Sequence, residues 1–134
     1  MRNWTVWLKT WLVLISLHSF VVGICLMFIP TALFEQFGFA AIGERFFPAQ
    51  GGIFHIIMAA VYLFGSRNPV RFESLILLAI GAKLTALLFL LCYFLLVDQL
   101  VVVLLSGVGD GIMGLILWLL WHNWSATQPE RNVS

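Results

Sequence analysis

Four apolar runs, each about as long as a bilayer core is thick, constrain this chain more than anything else in it. A helix needs about 20 mainly apolar residues to cross a hydrocarbon core of about 30 Å. The runs cover 6–29, 48–65, 72–97 and 100–121, and a polar tail follows over 122–134. Pro30 closes the first run, Pro48 suits the first turn of the second, and Asn68-Pro69 separates the second from the third. Barrel strands would need alternating segments of about 10 residues, which these runs are not. The first run is too long for a cleaved leader, and no small-residue cleavage site precedes the loop after it. Hydrophobic residues are 62% and charged residues 10% of the chain, against about 25% charged in soluble domains. That excludes a soluble enzyme and a disordered tail. A net charge of +1 excludes a nucleic-acid binder, since nothing could neutralise a phosphate backbone. The expected fold is all-α: one membrane domain over 1–134, an antiparallel four-transmembrane-helix bundle with a short interfacial segment between the first and second spans.

Charge sets the expected orientation. With four spans, both termini and the second loop share a side, which holds Arg2, Lys9, Arg67, Arg71 and Arg131. The other side holds Arg45 alone, and Lys83 lies within a span. The excess puts both termini of this multi-pass chain in the cytoplasm. All six tryptophans, at 4, 7, 11, 118, 121 and 124, fall at the same end. Their grouping reads as an interfacial belt. Glycosylation sequons at Asn3, Asn123 and Asn132 fall on the cytoplasmic side and read as chance.

The outer connection carries TALFEQFGFAAIGERFF over 31–47. Thr31 is expected to cap a short helix and Gly38 to end it. Leu33, Phe34 and Phe37 would share its face and, with Phe39, Phe46 and Phe47, lie in the interface. Such a segment is either a sealing connector or a lid. The third loop, only Asp98 and Gln99, makes the last two spans neighbours. Cys25 and Cys92 lie in apolar runs and read as small core residues, without a metal or disulfide spacing.

The informative residues are ionisable ones inside the spans: His18, His55, Lys83 and Asp110, one per span. Such groups face the protein interior and are functional candidates by default. At about 1.5 Å per residue, each lies roughly 14–16 Å deep. Mostly small residues share their stripes: Ser106, Gly107 and Gly114 with Asp110; Ala79 and Ala86 with Lys83; Gly51, Gly52 and Ala59, along with the larger Tyr62, with His55. On the first span the stripe would be Trp11, His18, Val22 and Cys25. Gly51, Gly52, Gly107, Gly111 and Gly114 are the expected close-packing positions, the pair 107/111 forming a Gly-x-x-x-Gly motif. Lys83 and Asp110 invite pairing, yet counting from the third loop leaves Lys83 about 4 residues, or roughly 6 Å, deeper. A water, His18 or His55 would then bridge them, or one of the two would be neutral.

Three readings follow. The cluster is polar glue between helices; or it lines a pocket for a lipid-soluble ligand, a quinone or a proton path; or His18 and His55 ligate a b-type haem. A copper site from His55, Met58, His18 and Cys25 is a weaker variant. No catalytic residues and no metal ligands are assigned. Ser106 lacks a base, and Gly107-Val108-Gly109-Asp110-Gly111 does not follow a strand, so it is no dinucleotide fingerprint.

The run FIPTALFEQFG ending the first span, FFPAQGG opening the second, and the pair Ala82-Lys83 in the third resemble the DoxX-like group of small four-helix bacterial membrane proteins. That resemblance covers most of the chain by layout. It implies an association with membrane redox systems and quinone-linked sulfur oxidation, and transfers no catalytic residue. The expected function is a non-catalytic membrane component that binds a small hydrophobic ligand, or an accessory subunit of a redox system. The alternatives are a haem- or quinone-dependent electron carrier and a structural subunit of a larger membrane complex. The expected partners are the lipid bilayer, a hydrophobic small molecule or quinone, and another membrane protein, with no nucleic acid.

Overall fold

A computed structural model describes residues 3–40 and 44–128 of the protein. Arg2, Arg131, the sequon at Asn132, the last six residues of the polar tail and the middle of the connection between the first two spans, 41–43, lie outside the described residues. The elements are α1 (Trp4–Phe28), α2 (Thr31–Gln36), α3 (Phe46–Arg67), α4 (Glu73–Leu96) and α5 (Val101–Ser125). No strand occurs among the described residues. α1, α3, α4 and α5 are each long and apolar enough to cross a membrane, as expected of a multi-pass membrane protein. α3 is the shortest of the four at 22 residues, or about 33 Å at the α-helical rise.

Helix bounds follow local chemistry. Asn3 begins α1, its side chain accepting from the Val6 N–H at 3.4 Å. α3 starts two residues before Pro48, which is tolerated because first-turn N–H groups have no intrahelical acceptor. α5 runs four residues past the expected end, through Trp124. Asn123 lies inside it and donates to the Leu119 carbonyl at 2.7 Å. Gly107 to Gly111 are helical, so this glycine-rich stretch forms no loop. Thr31 does not cap α2: Pro30 holds the cap position without a side-chain bond. Gly38, at φ +91°, ends that segment as expected, in a conformation open to glycine. Leu33 and Phe34 are half-buried, while Phe37, Phe46 and Phe47 are exposed.

Two helix pairs dominate the packing. α1 lies along α3 and α4 along α5, and narrower α1–α5 and α3–α4 contacts join the pairs. Glycine sets the distance in the first pair: a Cβ on Gly52 would stand 2.6 Å from the Gly23 carbonyl oxygen, and one on Gly23 would stand 2.8 Å from that of Gly52. Backbones approach this closely only where both helices lack a side chain. In the second pair, Gly107 faces Leu90, Gly111 faces Leu87 and Gly114 faces Lys83. One of the expected close-packing positions departs from the rest. Gly51 has room for a side chain, its nearest neighbour Leu26 at an ordinary 3.8 Å, while Gly23, not among the expected positions, stands against the Gly52 carbonyl at 2.8 Å.

Large side chains fill the half of the bundle that holds Trp4 and Trp124. Leu8, Leu12, Ile15, Tyr62, Ile76, Ala79, Ile80, Leu117 and Trp124 form its core. Trp7 is 61% exposed and Trp118 also faces outward, but Trp124 is 2% exposed and Trp4, Trp11 and Trp121 pack on the core. The tryptophans therefore share one end, as expected, and four of the six also pack on the core. Trp11 Nε1 donates to the Met113 carbonyl at 3.2 Å and Trp121 Nε1 to Glu73 at 2.8 Å. An indole buried with its N–H bonded contributes area without leaving an orphan donor. Cys25 and Cys92 are exposed, not core residues. The bundle's outward surface is rich in large apolar side chains, Leu17, Leu88 and Leu105 each being at least 60% exposed, an arrangement that suits lipid better than water.

Candidate functional site

Buried polar chemistry collects at one level between the helix pairs. Lys83, on the inward face of α4, donates from Nζ to Asp110 Oδ1 at 2.5 Å. Its side chain is 4% exposed and that of Asp110 14%. The ammonium also lies 5.8 Å from the Tyr62 ring centroid, within cation–π range. Tyr62 and Ser19 of α1 share the wall of a pocket beside the pair. One level toward Trp4, Ser16 donates to the Ala59 carbonyl at 2.7 Å and ties α1 to α3. No fully buried side-chain donor or acceptor lacks a partner among the described residues.

The direct ion pair is the pairing that opposite charges on adjacent helices lead one to expect, and it needs no bridge across the counted offset. The offset itself is real: Gly114, one turn beyond Asp110, is the α5 residue that stands level with Lys83, its notional Cβ 3.0 Å from Lys83 Cβ. Four residues of helix are about 6 Å of rise. The four-carbon lysine stem spans that distance, passing over a glycine that leaves room for it. The sequence count treated both charges as if they sat at Cα height, and the length of lysine removes the gap.

A cavity of about 130 Å³ opens beside the pair. α1 contributes Ser19 to its wall, and α3 contributes Phe54, His55, Met58 and Tyr62. Ala82, Lys83 and Ala86 come from α4, and Asp110 from α5. Every long helix supplies a wall, which is why no single stretch of sequence announces the cavity.

Three of the four expected cluster residues meet there: His55, Lys83 and Asp110. His18 does not. It is exposed and absent from the cavity wall, although Lys83 and Asp110 lie within electrostatic range of it. The buried face of α1 is Leu8, Leu12, Ile15, Ser16, Ser19 and Gly23; of the expected stripe, Trp11 packs on the core, Val22 is half-buried, and His18 and Cys25 are exposed. An apolar helix carries no amphipathic signal to fix its rotation, and the one ionisable residue is a poor substitute. The small residues Ser16, Ser19 and Gly23, at spacings of three and four, mark the true face. Ser106 likewise turns outward and bonds its own helix at Val102. Ser19 and Tyr62 are the polar wall residues that the sequence did not single out as such.

The arrangement can hold one ring or a few waters against a charge pair. It does not fit haem: His55 faces the cavity without His18, and the volume is far below a macrocycle's. Cys25 of the copper alternative lies on the exposed surface. Among the described residues no three or more His, Cys, Asp or Glu side chains gather to hold a metal ion. Comparison with protein-family models, with curated proteins and with solved structures finds no match to this chain, so nothing in them points to catalysis.

Proposed function

We propose that this protein is a small, non-catalytic integral membrane protein that binds a small hydrophobic molecule at its mid-depth polar cavity, as an accessory component of a membrane redox system. The observation that carries the reading is the Lys83–Asp110 pair walling a cavity among four apolar helices. A purely structural role needs only the pair; it does not need the space beside it. The similarity in layout to DoxX-like proteins supports the redox association, with a quinone as one candidate occupant. Extraction of the purified protein with organic solvent, followed by mass spectrometry, tests the reading. A stoichiometric lipid-soluble compound is expected from the native protein and not from an Ala86→Phe variant, whose new ring fills the cavity. Equal recovery from both would defeat it, and a Soret band in the purified protein would replace it with the electron-carrier alternative.

The proposal places the helices as an antiparallel bundle of the inner membrane with both termini cytoplasmic. Partner positions on α4 fall from Leu90 to Lys83 as those on α5 rise from Gly107 to Gly114, which supports opposed directions. Arg67, Arg71 and Lys9 lie at the proposed inner end, where lysine and arginine are retained. At the other end Arg45 is engaged, donating to the Met27 and Ile29 carbonyls at 2.8 and 2.9 Å where α1 ends. Asn68→Cys, in a background without Cys25 and Cys92, is expected to react with an impermeant thiol reagent only after the membrane is opened. Labelling of intact cells would reverse the orientation.

A further inference from the structure

The cavity's own asymmetry identifies the chemistry of what it takes, granted the ligand-binding reading above. We infer that its occupant is an uncharged, membrane-soluble phenol that enters sideways between α3 and α4, its hydroxyl donating to Asp110 and its tail remaining in the lipid. Size limits the head. A cavity of about 130 Å³ compares with the roughly 150 Å³ apolar cavity that takes up benzene, so a single ring fills it. Charge limits it next. Lys83 and Asp110 already cancel, and a charged head would stand uncompensated in a low-dielectric site.

The polarity of the hydrogen bond follows from exposure. Lys83 is 4% exposed and spends its ammonium on Asp110 and the Tyr62 face, while the Asp110 carboxylate keeps 14% of its side chain open. The open member of the pair is therefore an acceptor, and it selects a donor. Phe54 and Met58 supply an apolar wall for the ring.

The route follows from packing. Phe54 on α3 is 60% exposed, so this wall reaches the bundle's outer surface. Across from it stand Ala82 and Ala86, one turn apart on α4, whose side chains are too short to close the gap. The α3–α4 seam is the narrower kind of helix contact in the fold. A tail can leave through it without crossing a packed interface.

The test uses the whole protein in detergent with three probes of equal tail: 4-octylphenol, its methyl ether and octylbenzene, measured by calorimetric titration. The phenol is expected to bind about 10- to 100-fold more tightly than the ether, the range for a hydrogen bond to a charged acceptor. Ala86→Phe is expected to abolish binding of all three while the unliganded protein still melts cooperatively. If that variant does not fold, Ala82→Phe places the same obstruction one turn away. Equal affinity for all three probes would overturn the phenol inference and leave a non-selective hydrophobic pocket standing. Phenol binding unchanged in the folded Phe variant would overturn the lateral route. No binding of any probe, octylbenzene included, would remove the pocket and this inference together.

Discussion

Asp110→Asn is expected to lower the melting temperature of the detergent-solubilised protein by on the order of 10 °C, and Lys83→Met added to it is expected to restore part of the loss. The cause is the ammonium left behind. Removing one member of a buried ion pair strands the other and costs about 3–5 kcal/mol, and about 1 kcal/mol shifts the midpoint of a domain near this size by roughly 2–4 °C. Lys83 is placed for a large effect: it is 3% exposed, its stem is held over Gly114, and Asp110 is its hydrogen-bonding carboxylate. Methionine keeps the stem's length without the charge, so the double variant replaces a stranded cation by an apolar filling. The four proteins form a thermodynamic cycle. Two near-neutral single changes with an additive double would show the residues to be uncoupled, and the proposed pocket would lose its wall.

Gly52→Ala and Gly51→Ala are expected to shift stability in opposite directions, although the residues are adjacent on one helix. A methyl at position 52 would stand 2.6 Å from the Gly23 carbonyl oxygen and 2.6 Å from Met27 Cγ, so α1 and α3 must separate along their main contact. Overpacking of this kind costs about 1–3 kcal/mol. A methyl at position 51 meets only Leu26 Cδ1, at an ordinary 3.8 Å, and gains the helix preference of alanine over glycine, up to about 1 kcal/mol. Gly23→Ala should match Gly52→Ala, and the two together should cost less than their sum because one separation of the helices accommodates both. Thermal melts of the four variants decide the matter. Similar losses from Gly51→Ala and Gly52→Ala would mean that helix propensity, and not the approach of α1 to α3, governs this site.

The two predictions also divide what was legible from what was not. That Lys83 and Asp110 belong together could be read from opposite charges placed at similar depth on neighbouring spans. That they touch could not, because a count of residues locates Cα atoms and says nothing of where a long flexible side chain ends. The glycines show the same division. Gly51 and Gly52 are equivalent as letters, and a rotation of 100° about the axis of α3 puts one in a seam and leaves the other open. The error at His18 arises the same way, one residue from Ser19, which does line the cavity. A face can be read from sequence when apolar and polar residues alternate around a helix, and here nearly the whole circumference is apolar.

Length and hydropathy by themselves determined that this chain forms four long apolar helices. A backbone in apolar surroundings must satisfy its own hydrogen bonds, and runs of about 20 such residues leave few alternatives to a helix. Pro30, Gly38 and Pro69 marked the first two breaks to within a few residues, since each acts on its own backbone, and the polar pair Asp98-Gln99 marked the last. Only the tertiary structure decided which way each helix turns, because that depends on how side chains on four separate segments fit one another. Gly23 admits Gly52, Gly114 makes way for the Lys83 stem, and Trp124 fills the core at the opposite end from the outer connection. The cavity is a consequence of those fits. It exists where large side chains give way to small ones between α3 and α4, a property of no single helix.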